Sequence, residues 1–240
     1  MRGSWIAALL LCASPPGLAE SRPDPAQLLK KYDDTMAPKT FDALVAMVAH
    51  RQDDTTRSYK FRALKGRGDK VRIWFFEPAS AKGQEMLRSD ENLWVYMPNL
   101  KRAVRLASRD SFQGGDFNNA DALRVNYTAD YTPVHGRDTA TEWLLELSAK
   151  TKDAAYDKIK LWLQKSDLMP ARAEYYAASG KLLRSMQFSD VKDFRGLKRP
   201  ARLVMKNELA QKRWSEMIWL DLKLNLDVPA QKFVLDDLGR

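Results

Sequence analysis

Few side chains in this sequence could do covalent or metal chemistry. There is one cysteine, Cys12, and there are two histidines, His50 and His135, far apart in the chain. A Cys/His zinc site or a cysteine nucleophile needs such residues in a cluster, so neither is expected. No Gly-x-Ser-x-Gly elbow and no phosphate-binding loop occurs. Asp116 and Asp121 could pair as carboxylates for acid–base work, yet an Asp beside Gly in a loop more often forms a turn or caps a helix. The sequence therefore predicts no catalytic residue, no metal and no cofactor.

What the chain offers instead is aromatic surface. Trp74, Phe76, Trp94, Tyr96, Trp143, Trp162 and Trp219 stand in apolar runs, with Met47 and Met86 as adaptable fillers. Phe112 and Phe117 flank Gly114-Gly115 in the longest stretch without strand character, residues 108–123. Singly, each aromatic residue suits a packed core. Together they are numerous enough to line a pocket for apolar chains. The glycine pair can act as a hinge, so the loop is expected to gate such a pocket.

The elements that must position these residues follow from periodicity. Asp24-Pro25-Ala26-Gln27 is a helix start, with a capping side chain and a proline in the first turn. Leu28, Leu29, Tyr32 and Met36 then share one helical face, and Pro38 ends the helix. Beyond it the period falls to two. Strands are expected over residues 41–50, 56–65, 71–76, 92–97, 102–106, 142–149, 158–165, 171–177, 182–188, 199–207 and 213–224. Turn sequences such as Gly66-Arg67-Gly68-Asp69, Ser179-Gly180-Lys181 and Arg195-Gly196 separate them. Many short strands joined by turns indicate an antiparallel sandwich or barrel. No linker or composition break appears, so residues 20–240 read as one domain.

Several strands are apolar on both faces: Trp74 and Phe76 alternate with Ile73 and Phe75, and Trp162 lies between Leu161 and Leu163. A half-exposed strand would alternate cleanly, so both faces must be covered. Few helices are in sight: one at the N-terminus, one near residue 120 and a turn around Ala230. That shortage favours a sheet curled round an apolar cavity of about 300 Å³ or more, the alternative being a dense aromatic core.

The first residues read as a secretory signal peptide, 1–19. Arg2 supplies the positive charge, residues 6–13 an apolar run too short to span a bilayer, and Gly17-Leu18-Ala19 a cleavage site before Glu20. Lipidation at Cys12 would need a small residue in place of Leu11. Export without a disulfide framework points to a bacterial periplasm. The formal net charge is +9. In an exported protein such charge suits anionic lipid headgroups or an acidic protein better than a nucleic acid, and equally a solvated basic surface that aids solubility.

One stretch carries a family resemblance. It runs Leu93-Trp94-Val95-Tyr96-Met97-Pro98-Asn99-Leu100-Lys101-Arg102-Ala103-Val104-Arg105, then Phe112-Gln113-Gly114-Gly115-Asp116-Phe117 and Asp121. Upstream lies Phe76-Glu77-Pro78-Ala79-Ser80-Ala81-Lys82-Gly83. This pattern is similar to the outer membrane lipoprotein-sorting protein family, the LolA/LolB-like superfamily, over essentially the whole mature chain. Gly115, where the family more often has Ser, and Ala122 directly after Asp121 depart from it. The resemblance implies a mainly β protein with a few helices: an incomplete, unclosed antiparallel barrel around an apolar cavity, with a helical lid. It implies a periplasmic carrier that takes lipid acyl chains or a lipidated protein toward the outer membrane, between an inner-membrane exporter and an outer-membrane acceptor. The same fold also serves regulatory proteins that sense mislocalised lipid or lipoprotein and signal to a membrane partner. That is the alternative function. No catalytic role comes with the resemblance.

Overall fold

A computed structural model describes residues 22–123 and 126–240. The signal peptide expected over residues 1–19 lies outside the described residues. Helix α1 spans Pro25–Met36. Asp24 caps it by accepting from the Ala26 N–H at 3.4 Å, and Pro25 occupies the first turn, where a missing N–H costs nothing. Its buried face is Leu28, Leu29, Tyr32, Thr35 and Met36.

Six strands follow: β1 (Phe41–His50), β2 (Thr56–Lys65), β3 (Lys70–Glu77), β4 (Glu85–Ser89), β5 (Asn92–Met97) and β6 (Arg102–Arg105). Two short helices, α2 (Asn119–Leu123) and α3 (Tyr127–Asp130), interrupt the series. Then come β7 (Tyr131–His135), β8 (Glu142–Ala149), β9 (Lys158–Gln164), β10 (Pro170–Tyr176), β11 (Leu182–Phe194), β12 (Leu197–Asn207) and β13 (Trp214–Leu224). All thirteen form one sheet in the order β6-β5-β4-β3-β2-β1-β13-β12-β11-β10-β9-β8-β7. Each half is a meander of consecutive antiparallel pairs. The halves join where β1 pairs with β13, Phe41 opposite Leu224 and His50 opposite Trp214. β6 and β7 do not pair, so the barrel stays unclosed. Register shifts at Leu44/Val45, Lys60/Phe61 and Tyr175/Tyr176 bend the strands at bulges.

Alternation along the strands sorts side chains into two clusters. The inner one holds Val45 and Met47 of β1, Phe61 of β2, Ile73 and Phe75 of β3, Leu145 of β8, Leu161 of β9 and Met217 of β13. α1 packs on this side. The outer one is smaller. There Leu64, Trp74, Leu87, Trp94 and Tyr96 pack with Phe233 and Leu238 from the C-terminal segment, which forms two 3-10 turns, Ala230–Phe233 and Leu235–Asp237. Arg72 pins that segment. Its guanidinium donates to Glu85 at 2.8 Å, to the Asp237 carboxylate at 2.9 Å and to the Lys232 carbonyl at 3.1 Å. That bond to Arg72 holds the Asp237 carboxyl below the usual carboxylate range.

Two strands escaped the sequence reading. β4 is buried along four of its five positions, two of them charged, so no alternation shows. β7 contains Pro133, which an edge strand tolerates. β11 also runs past residue 188 to Phe194, through an exposed polar ribbon paired with β12. The ribbon turns at Arg195-Gly196, both with positive φ (55° and 94°), as a tight hairpin requires.

Candidate functional site

The inner face is filled by the connection between β6 and β7. Its loop is closed by a Phe112 N–H to Phe117 carbonyl bond of 2.9 Å and by a bridge between Ser111 and Asn118. Phe112 and Phe117 are fully buried. The Phe112 ring lies 5.6 Å from that of Phe61 and 6.0 Å from that of Phe75. Gly114 has φ of +74°, and a Cβ on Gly115 would stand 3.1 Å from Met47 Cε. Gly114 thus supplies the left-handed turn, and Gly115 the close seating of the loop on Met47 and Ser215. The Tyr59 hydroxyl donates to the Gln113 carbonyl at 3.1 Å. Ser215 Oγ accepts from the Asp116 amide at 3.0 Å and donates to the Asp116 carboxylate at 2.8 Å. Asn207 and Arg213, each 3.3 Å away, complete the surroundings of Asp116.

Asp121 serves α2. Its carboxylate accepts from the Asn118 amide while Asn118 Oδ1 accepts from the Asp121 amide, both at 2.8 Å, a reciprocal cap. The Tyr156 hydroxyl also donates to Asp121 at 2.8 Å, and Arg184 donates to Tyr156 at 2.8 Å. Burial pushes the Asp121 carboxyl up, against the pull of Arg184. The sign of its effect on stability follows. A carboxyl whose folded pKa is raised contributes stability that is complete below the ordinary 3.8 and is lost as pH rises through the folded value. Asp121→Asn, which keeps the shape, is therefore expected to gain on the wild type as pH climbs from about 4 to about 7. Urea midpoints of both proteins across that range check it. A constant difference would show that Asp121 does not titrate differently on folding.

Around this carboxyl lies a cluster that the sequence reading passed over: Tyr32, Tyr127, Tyr131, Tyr156 and Tyr175, all buried. Tyr32 stacks on Tyr127 at 5.2 Å, and the Tyr127 and Tyr175 hydroxyls meet at 3.3 Å. Burial raises the pKa of all five. The available signal was the inward register of Tyr175, beside Ala173 on β10, since a buried tyrosine must find a partner for its hydroxyl.

The predicted aromatic wall is not assembled. Trp74, Trp94 and Tyr96 lie on the outer face under the C-terminal segment. Phe76 is 45% exposed. Trp162 also faces outward, paired with Leu144 and covered by Arg172, 4.3 Å from its ring. The apolar second faces of these strands have their own covers, and an inner cavity does not explain them. Trp143, Trp219, Phe112 and Phe117 do belong to the inner cluster. The expected large cavity is occupied by the loop and the tyrosines, and the void among Met36, Phe41, Val71, Asp121, Leu123 and Trp219 is about 40 Å³.

That void lies under a much larger polar groove of about 640 Å³, bounded by the end of α1, the β2–β3 turn and Asn225-Leu226. Lys65 and Asp69 line both. Asp33, in the groove wall, accepts from the Tyr127 and Thr128 amides at 3.0 and 2.7 Å and so ties α1 to α3. Burial raises its pKa even so. Burial lowers that of Lys65, which donates to the Ala37 carbonyl. Arg199 is fully buried behind Trp219, 4.0 Å from its ring, and donates to the Met36 carbonyl at 2.9 Å. Burial brings its pKa down to about 9.

A family model described as an uncharacterized protein matches residues 67–240. The chain is similar in structure to a LolA superfamily protein from Nitrosomonas europaea, with 29% identity, a TM-score of 0.80 and coverage of 88% of this chain and 98% of that one. A domain from Vibrio parahaemolyticus assigned to outer membrane lipoprotein sorting shares the fold at 23% identity and a TM-score of 0.77, covering 90% and 98%. A DUF1329 family protein from Desulfovibrio piger does so at 20% identity and a TM-score of 0.78, covering 90% and 100%. No curated protein matches the sequence.

Proposed function

We propose that this chain, which matches a LolA superfamily protein in fold over nearly its whole length, is a periplasmic carrier for lipid acyl chains or a lipidated protein. The observation that carries this reading is what fills the sheet. An apolar inner face is covered by a loop and helices tethered between the two edge strands β6 and β7, with no second sheet among the described residues. A cover of that kind can move aside while the sheet stays intact. The reading is of a binding protein that carries out no reaction, passing cargo from an inner-membrane exporter to an outer-membrane acceptor.

Magnitudes support a cargo with more than one chain. A long acyl chain offers on the order of 10 kcal/mol gross, at about 0.8 kcal/mol per methylene. Displacing Phe112 and Phe117 gives back roughly 3–6 kcal/mol, and association removes several more. One chain leaves little surplus, while two leave enough to hold a lipid in water.

The test is direct. Mature protein purified from the periplasm should begin at or near Glu20, carry diacyl lipid or lipoprotein detectable by mass spectrometry, and bind a pyrene-labelled diacyl lipid saturably. Absence of both co-purified and added lipid would overturn the carrier. An acylated Cys12 at the N-terminus would make it an anchored acceptor.

A further inference from the structure

The groove at the end of α1 and the void beneath it present two polar features at two depths. At the surface, Lys39 and Arg67 are exposed and have no acidic partner among the described residues. The carboxylates that share the groove are engaged. Asp33 holds the start of α3, Asp34 pairs with Lys30, and Asp69 accepts from Asn126. Lys39 and Arg67 are thus cations of the rim with no paired carboxylate among the described residues, in a groove that also holds Asp33, Asp34 and Asp69. Below it Phe41, Val71 and Leu123 bring apolar surface beside Lys65, Asp69 and Asp121. There Trp219 lines the void, is 8% exposed, and has a buried Nε1–H without a hydrogen-bond acceptor among the described residues. A buried donor left unmet is costly in a folded protein, and an acceptor brought by a ligand would relieve that cost.

We propose that this groove is the cargo port, and that its ligand is an anionic glycerophospholipid. The phosphate meets Lys39 and Arg67, an acyl ester carbonyl accepts from Trp219 Nε1, and the chains continue past Phe41 and Val71 into the space vacated by the loop. The assignment rests on the carrier reading and narrows it. A free fatty acid has one polar group for two stations. A diacylglycerol has the ester and lacks the anion. An acylated protein N-terminus likewise brings no phosphate. Lys65, which lines both the groove and the void, stands along the path between the stations.

The experiment compares three fluorescent probes on the mature protein: phosphatidylglycerol, diacylglycerol with the same chains, and a single-chain fatty acid. Phosphatidylglycerol should bind tightest. Lys39→Glu with Arg67→Glu should weaken it about tenfold, as loss of charge-assisted bonds does, and leave diacylglycerol within about twofold. Trp219→Phe keeps the ring and should weaken both diacyl probes by a similar factor of about three to ten, with the thermal midpoint measured alongside to show an intact fold. Equal binding of phosphatidylglycerol and diacylglycerol, unmoved by charge reversal, would overturn the port while leaving the carrier standing. A fatty acid bound as tightly as phosphatidylglycerol and equally sensitive to charge reversal would overturn the phospholipid assignment. Failure to bind all three would overturn the carrier itself.

Discussion

Phe112→Ala is expected to weaken the empty protein and to quicken its loading. The ring is fully buried and touches Phe61 and Phe75. Truncating a buried phenylalanine costs about 3–5 kcal/mol, part of it from the hole left behind. Here the hole opens on the inner face of the sheet, where cargo is proposed to go. The side chain that destabilises by its absence is also the one a lipid must displace. Urea unfolding gives the first effect, and stopped-flow uptake of a pyrene-labelled diacyl lipid the second. A destabilised variant with wild-type uptake would show that the loop does not compete with cargo.

The second large effect lies on the opposite face. Arg72 is 2% exposed and lies against Glu85, itself 6% exposed. Arg72→Leu leaves that carboxylate buried without its cation and cuts the bonds to Lys232 and Asp237. A loss of about 3–5 kcal/mol is expected, together with early proteolysis of the segment beyond residue 226. Replacing both partners, Arg72→Leu with Glu85→Leu, should recover much of the stability, because the uncompensated charge is gone. Cleavage of the segment should persist in the double variant. Two variants of equal stability would mean that Glu85 tolerates solitude, and the segment would then be held by its apolar contacts alone.

The two faces show what could be read in advance and what could not. β1, β2, β5 and β8 have the ends that period-two alternation predicts, because each is flanked by turn residues. Which face of a strand turns inward is not a local property. Trp74 and Phe75 are equally apolar, and only the return of Phe233 and Leu238 from the far end of the chain shows that Trp74 faces outward. That long-range cover made the strands look two-sided and suggested an inner cavity. Asp121 was legible as a cap, since a short helix begins beside it, but its bond to Tyr156 on another element was not. The port residues Lys39 and Arg67 had no signature at all. A lysine after a helix and an arginine in a glycine-rich turn are ordinary, and they become a pair only when the sheet brings the two turns together.

Each half of the sheet is built from neighbours in sequence, so each can zip up locally. The pairing of β1 with β13 is different, for it joins the first strand to the last. During synthesis, β1 emerges early with the apolar sequence Phe41-Asp42-Ala43-Leu44-Val45-Ala46-Met47-Val48-Ala49-His50, and β2 satisfies only one of its edges. The other edge must wait for nearly the entire chain. An unpaired, apolar edge is a template for association with other chains. Folding of this protein should therefore be limited by one late closure, and its yield by how well that edge is shielded beforehand. A chaperone that occupies β1 until β13 arrives would raise the yield more than one that acts on any other strand.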